Sequence, residues 1–550
     1  MINGLLRNGS QIFTRKQSSI FSAATILAGT FGLSALLGIL RDRFLYAEFY
    51  ACCASQLDAY NAAFRIPDII FRLLIIGALS AAFIPVFSQE IAKNHKQAHQ
   101  MASSIVNILF LAVGGLSLLA AIFALPLSQL IAGGFGQQQV LLMSQISRVM
   151  ILAQLFFLLS NFATGILQTH RRFLVPALSP LAYNLGIIFG IKVLSGHFGI
   201  FGPALGVVLG ACLHFLIQVP VLRTVGFSYF PMISFKLTGV RRVLKLMLPR
   251  TLALGLGEIE ATAVLFFAST LTAGSLSLFY LGQHLAGFVS RLFGTTLGQA
   301  SLPILSGVAG KGDMDTFRRI LIDTVLQAVY FVVPVAIIVL ILRIPIVRLA
   351  YGTAQFPWQA TLTTGRILLF LSPLMVASAL IDILTRAFYA MQDTKTPLIV
   401  SLISLSVGVS ASALTVFGFG WGTIGLALAA SLSGLVHLLA LSFLIVKKVN
   451  GGGVSQRIIV PTTKIILSGA VAAVWAWSLM QVSDNYLFDT SRAVGLLAVL
   501  LLSTAGSLLL YFLVSLLFGL KEARTVLSLG KRALSLLKPI DQVVEPPPID

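Results

Sequence analysis

The chain reads as an all-α integral membrane protein: 14 transmembrane helices, with two six-helix lobes in parallel repeat plus two C-terminal helices. Three observations predict this. Of 550 residues, 57% are hydrophobic and only 10% charged, and the apolar residues fall in runs of roughly 18 or more, the length that crosses a hydrocarbon core. The basic residues cluster in alternate short loops, the positive-inside pattern. Segments of the first half also recur in the second at a nearly constant offset.

In chain order, the leader 1–19 is basic and lacks a convincing cleavage site, so it is expected to remain as a cytoplasmic N-terminus. Spans are expected at about 20–47, 56–91, 99–131, 139–168, 174–195 and 200–222, forming an N-lobe over 20–222. Those of the C-lobe, 240–446, fall at about 240–271, 275–306, 316–346, 358–390, 396–417 and 422–446. Two more, at 459–481 and 492–519, make an accessory region over 459–519 that carries Trp475 and Trp477, and a basic tail follows over 520–550. Loops after even-numbered spans hold Lys93, Lys96, Arg171, Arg172, the run from Arg223 to Arg242, Lys311 to Arg319, Lys395, Lys447 and Lys448. The tail adds Lys521, Arg524, Lys531, Arg532 and Lys538, whereas the odd loops hold almost none. This places both termini in the cytoplasm. It also accounts for the net charge of +20 without a nucleic-acid partner.

The repeat is carried by IPVFS at 84–88 and LPILS at 302–306, and by Arg148 and Arg366, all at one and the same offset. Gly202, Ala204 and His214 match Gly425, Ala427 and His437 at a slightly longer one, the drift being loop length. An even number of spans per copy keeps the second copy in the first one's orientation, so the axis relating them runs along the membrane normal.

No soluble-type catalytic motif has a home here. GWGTIG at 420–425 matches a dinucleotide fingerprint by letters, but it sits between two spans and reads as a tight turn. Cys52, Cys53 and Cys212 make neither a metal spacing nor a disulfide framework and read as small buried residues. The histidines lack paired ligand spacing, and His214 and His437 read as packing or hydrogen-bonding groups.

The candidate site is the charge placed at membrane depth. Residues 34–88 hold Arg41, Asp42, Asp58, Arg65, Asp68 and Arg72 among apolar neighbours. Each would cost roughly 2.5–3.5 kcal/mol facing lipid. Asp58, Arg65 and Arg72 are seven apart, one helical stripe, with Pro67 expected to bend it. One reading is internal pairing, Asp68 with Arg72 and Arg41 with Asp42. The favoured one is a polar, net-cationic cavity lined by a bent helix. Glu258 and Glu260, about 200° apart on the seventh span, either pair with an arginine such as Arg250 or Arg291, or serve a proton or cation. In the eighth span His284 and Arg291, again seven apart, make a second inward stripe.

These residues resemble a family, the lipid II flippases of the MurJ/MviN type, within the multidrug/oligosaccharidyl-lipid/polysaccharide exporter superfamily. The resemblance runs through LLGILRD at 36–42, LDAYNAAFRIPDIIFR at 57–72, GALSAAFIPVFS at 77–88, GILQTHRRFLVPALSPLAYN at 165–184, LMLPR at 246–250 and LTRAFYAMQDTKTP at 384–397. It implies a transporter, not an enzyme, that moves a polyprenyl-pyrophosphate-linked peptidoglycan precursor from the inner to the outer leaflet of the bacterial cytoplasmic (inner) membrane. Alternating access is the implied mechanism, with the last two helices grooved for the lipid tail. It marks Arg41, Asp42, Asp58, Arg65 and Arg72 as cavity residues. His284 stands where an arginine is expected early in the eighth span, and Arg291 adds a basic residue nearby. Ala35 and Ile76 replace an arginine and a glutamate that the family usually carries. No cofactor is implied beyond a coupling cation of unassigned identity. Partners are the lipid-linked precursor and membrane lipids, with cell-wall synthesis proteins as further candidates. Two other functions fit the same spans: export of another lipid-linked oligosaccharide, and a transport-inactive scaffold for cell-wall synthesis.

Overall fold

The structure, a computed structural model, describes residues 20–76, 83–449, 454–483, 488–490 and 492–536. The leader 1–19, the tail beyond 536 and part of the motif at 77–88 lie outside the described residues. Every regular element among the described residues is a helix. Among the described residues, ten helices are long and apolar enough to cross a membrane, which makes this a multi-pass membrane protein. The expected spans 20–47, 56–91, 240–271 and 275–306 are not among the ten. They are the four that carry the candidate site residues.

The helices break where the sequence gives a reason. Ile20–Ala63 ends ahead of Arg65–Ile70, whose third residue is Pro67. Proline has no N–H for the carbonyl four residues back, and that carbonyl, on Ala63, accepts instead from Ser147 Oγ at 3.0 Å. Phe123 separates His95–Ile122 from Ala124–Ile131, with Pro126 third in the new helix. Leu342 separates Met314–Ile341 from Arg343–Tyr351 in the same way, with Pro345 third.

These breaks recur as the sequence repeat does. Phe123 (φ −89°, ψ 15°) and Leu342 (φ −90°, ψ 17°) stand at matching places in the two halves and share one backbone conformation. Asn94 caps its helix by accepting from Gln97 N, and Asp313, displaced by the same interval, accepts from Thr316 N. Arg171 (φ 57°) and Gln392 (φ 59°) take the left-handed conformation at nearly that interval again. π-helical turns at Phe71–Ile76 and Gly190–Leu194 are echoed at Arg291–Thr295 and Leu414–Gly418.

The chain divides into two compact units. The first comprises residues 1–282, 350–367 and 405–430, and the second 283–349, 368–404 and 431–550. Helix Thr238–Ser269 belongs with the first unit. Gly239 there is held against Met101 and Val86, and Val240 and Val243 join the core of Phe83, Phe87, Ile105 and Phe162. In the second unit Phe317, Leu321, Ile383, Phe388 and Leu441 form one core. Val454–Val482 packs there with Ala493–Leu517 and Met314–Ile341, where Tyr511 Oη donates to Tyr330 O at 2.9 Å. Between Ala390 and Lys395, the Asp393 carboxyl is raised by burial. Lys448 and the N–H and hydroxyl of Thr396 outweigh that and hold it at about 2.

GWGTIG is a turn, with Gly420 and Gly422 at positive φ between two helices. Cys52 and Cys53 correct the expectation of small buried residues. Cys53 leaves the helical conformation (φ −146°, ψ 44°). That break turns the two neighbouring sulfurs toward each other, and they are joined as a vicinal disulfide with Cys52 exposed.

Glycine permits one close helix pair. Gly202, Gly206 and Gly210 line one face of Phe201–Leu216 and meet Gly186 and Gly190 of the neighbouring helix. A Cβ on Gly186 would fall 2.4 Å from Gly210 Cα, and one on Gly206 2.9 Å from Gly186 O. Close approach over small residues is how helices gain packing energy in lipid, where the hydrophobic effect gives none. Gly186→Ala is expected to destabilise the detergent-solubilised protein by about 1–3 kcal/mol, read as a lower melting temperature. Gly196→Ala, with open space around it, should leave that temperature unchanged or higher.

Candidate functional site

In the first unit, Arg41 donates through Nε and Nη2 to Asp42 Oδ1 at 2.9 and 2.7 Å, and through Nη1 to Asn184 Oδ1 at 3.2 Å. Asp42 is buried, and Asn184 is steadied by donating to Pro180 O at 3.1 Å. The guanidinium is therefore a paired group shared between the first span and helix Leu174–Phe189.

Asp58, only 2% exposed, does not share a partner with Arg65. Its oxygens accept from Gly274 N at 2.6 Å, Ser277 N at 2.8 Å and Ser277 Oγ at 2.6 Å. It thus caps the N-terminus of helix Ser275–Ser290, where unpaired N–H groups and the helix dipole favour an anion. Asn61 Nδ2 donates to Ser277 Oγ at 2.9 Å and to Tyr46 Oη at 3.1 Å, and Tyr46 Oη donates to Ser277 O at 2.8 Å. Tyr46 stands among Tyr50, Tyr351 and Phe356.

Arg65 is 7% exposed and Glu258 6%. Arg65 donates to Glu258 O at 2.8 Å and Thr262 Oγ1 at 2.9 Å, and pairs with Glu258 Oε2. The other oxygen, Oε1, is 3.3 Å from Arg72 Nε. The Arg72 side chain is 57% exposed. Arg72 lies in the π-helical turn Phe71–Ile76 and meets the same carboxylate as Arg65. Asp68 acts electrostatically on both arginines. Two guanidiniums thus face two carboxylates, as Arg41 faces Asp42. Glu258 comes in from helix Thr238–Ser269 and balances the charge of Arg65 and Arg72 locally. The partners expected for the glutamates were Arg250 or Arg291; those of Glu258 are Arg65 and Arg72. Glu260 is exposed, on another face of the helix.

His284 and Arg291 belong to the second unit. Arg291 opens the π turn Arg291–Thr295, is exposed, and folds back toward Gly287. Two charges there went unread in the sequence. Asp382 Oδ2 accepts from Thr295 Oγ1 at 2.7 Å, and Arg386 Nη1 donates to Thr295 O at 2.8 Å. The signal was present as an acid and an arginine four apart in the apolar run LIDILTRAF.

Solved structures place the fold. One, titled as the inward-facing conformation of a multidrug resistance MATE family transporter of the MOP superfamily, superposes with a TM-score of 0.57 at 14% identity. That match covers 76% of this chain and 94% of the other. Another, titled lipid II flippase MurJ in an inward closed conformation, gives 0.71 at 23% identity over 93% of this chain and all of that one. Both superpositions give the chain the fold of a multi-pass membrane protein. The family model described as lipid II flippase MurJ matches residues 52–520. The chain belongs to that family. A probable lipid II flippase MurJ of Bdellovibrio bacteriovorus is 27% identical over 492 residues, covering 88% of this chain and 92% of that protein. The lipid II flippase MurJ of Burkholderia cenocepacia is 27% identical over 394 residues, 70% of this chain and 76% of its own length.

The shared carboxylate makes a prediction. Glu258→Gln leaves Arg65 buried beside a neutral group and is expected to cost about 3–5 kcal/mol, read as thermal unfolding in detergent. The double change Arg65→Met, Glu258→Leu should recover most of that loss. If Glu258→Gln melts with the wild type, the pair is not holding these helices.

Proposed function

We propose that this chain is a lipid II flippase of the bacterial cytoplasmic membrane, carrying a polyprenyl-pyrophosphate-linked peptidoglycan precursor to the outer leaflet by alternating access. The proposal includes fourteen spans, two six-span lobes, a lipid-tail groove over 459–519 and both termini in the cytoplasm. The family match through residues 52–520 carries it, since it spans Arg65, Arg72 and Glu258. The recurring caps, breaks and π turns support two lobes of one design.

A pyrophosphate crossing hydrocarbon unaided would lose its hydration with nothing in return. Arginine forks suit its oxygens. Arg72 is the arginine best placed for first contact. It is half exposed, and it shares Glu258 with an arginine that can keep it. When a pyrophosphate takes Arg72, Glu258 retains Arg65, and no buried charge is stranded. Arg41 follows by exchanging Asp42. Asp58 acts as a latch, because moving the helix it caps requires giving up three hydrogen bonds. Both oxygens of Glu258 are engaged, so a coupling cation is assigned to Glu260 first. His284 and Arg291 join the substrate path in the opposite state of the cycle.

Rescue of a flippase-depleted bacterium tests this reading, with membrane protein levels measured alongside. The wild-type chain is expected to restore growth. Arg72→Ala removes a charge-assisted contact worth about 1.5–3 kcal/mol, so lipid II binding should weaken roughly ten- to a hundredfold. Failure of the well-expressed wild type would favour the scaffold or another lipid-linked substrate. Full rescue by a well-folded Arg41→Ala, Arg72→Ala variant would remove the site assignment.

A further inference from the structure

Between helices Val219–Thr224 and Thr238–Ser269 the chain leaves helical conformation and lies as a strap along the first turns of His95–Ile122. Ser228 N donates to His99 Nδ1 at 3.4 Å, Phe230 N to Ser103 Oγ at 3.0 Å and Ser234 N to Ser104 Oγ at 2.6 Å. Asn107 Nδ2 donates to Met232 O at 2.9 Å, and Tyr229 Oη donates to Asn107 Oδ1 at 2.8 Å. His99, Ser103, Ser104 and Asn107 lie on one face of their helix, and the strap covers the two serines completely. The polar face of that helix is thereby hidden from lipid, and the strap's own outer face takes its place.

That outer face is built for an interface. Tyr229, Ile233 and Phe235 are 58%, 49% and 54% exposed. They alternate with the more buried Phe230, Met232 and Ser234, the period of an extended chain. Arg223, Lys236, Arg241, Arg242 and Lys245 flank them, all exposed. No Asp or Glu occurs anywhere between Glu90 and Glu258. An extended backbone with only one side bonded cannot sit in hydrocarbon. Apolar side chains ringed by cations belong where acyl chains meet headgroups.

We infer that residues 226–237 form a membrane-interface anchor that docks on anionic phospholipid. Tyr229, Ile233 and Phe235 enter the acyl boundary, and the flanking cations hold negatively charged headgroups. The uniform sign of the charge selects an anionic lipid surface over a protein partner, which would meet a one-sign patch around an apolar centre. The inference goes beyond the flippase reading and does not depend on transport.

A spin label at position 233, introduced as Ile233→Cys in the full chain with Cys52, Cys53 and Cys212 changed to serine, tests it. The protein is placed in nanodiscs of phosphatidylcholine alone or with phosphatidylglycerol. Collision with oxygen reports acyl surroundings, and collision with a water-soluble nickel chelate reports solvent. Added phosphatidylglycerol is expected to raise oxygen collisions and suppress nickel collisions. Lys236→Gln with Lys245→Gln should reduce that lipid dependence. Nickel access in both lipids overturns the anchor and leaves the face to a protein partner. Equal oxygen access in both lipids overturns the selection for anionic headgroups. The lipid comparison needs no charge variant, so a poorly folding one cannot leave the question open.

Discussion

One carboxylate holding two arginines is the constraint on which the membrane-depth charge depends. Glu258 reaches out of helix Thr238–Ser269 and divides its oxygens between Arg65 and Arg72. Each charge could stand at that depth only with a partner. Together they join three chain segments, since Arg65 follows the break at Phe64 and Arg72 rides on a π-helical turn. The asymmetry within the trio matters most. Arg65 is sealed and also bonded to Thr262, whereas Arg72 is open. A site built this way can admit an anion at one arginine while the other keeps the carboxylate neutralised.

The helix breaks follow from the same need to satisfy groups in lipid. A proline third in a helix frees one carbonyl, and Ser147 shows how a neighbouring hydroxyl takes it up. The π turns do likewise, and Arg386 spends its guanidinium on the carbonyl of Thr295 inside one of them. Such devices recur at corresponding places in the two halves of the chain.

Much of the membrane plan was legible in the sequence because hydrophobic run length and loop charge are local properties. IPVFS and LPILS announced a repeat that the backbone echoes in its caps and breaks. The prolines at 126 and 345 carried the same message and went unread. The pair of Arg41 with Asp42 was legible in the sequence, but the partners of Asp58, Arg65 and Arg72 were not. Spacing puts Asp58, Arg65 and Arg72 on one stripe of an ideal helix, and the chain does not keep an ideal helix there. Asp58 instead caps the helix that begins at Ser275, while Arg65 and Arg72 meet at Glu258. Glu258 was visible, but pairing between segments so far apart in the chain is a tertiary fact that periodicity does not encode. The strap on His99, Ser103, Ser104 and Asn107 escaped for the same reason: those residues look like ordinary polar relief in an apolar span.

The central claim is that this chain moves a pyrophosphate-linked lipid across a bilayer. The most direct measurement places the purified protein in liposomes containing labelled lipid II and follows the fraction that a membrane-impermeant reagent can reach. The account predicts that this fraction rises above that of protein-free vesicles, and that the rise disappears when the added protein is unfolded. A folded protein that leaves lipid II on its original leaflet would contradict it.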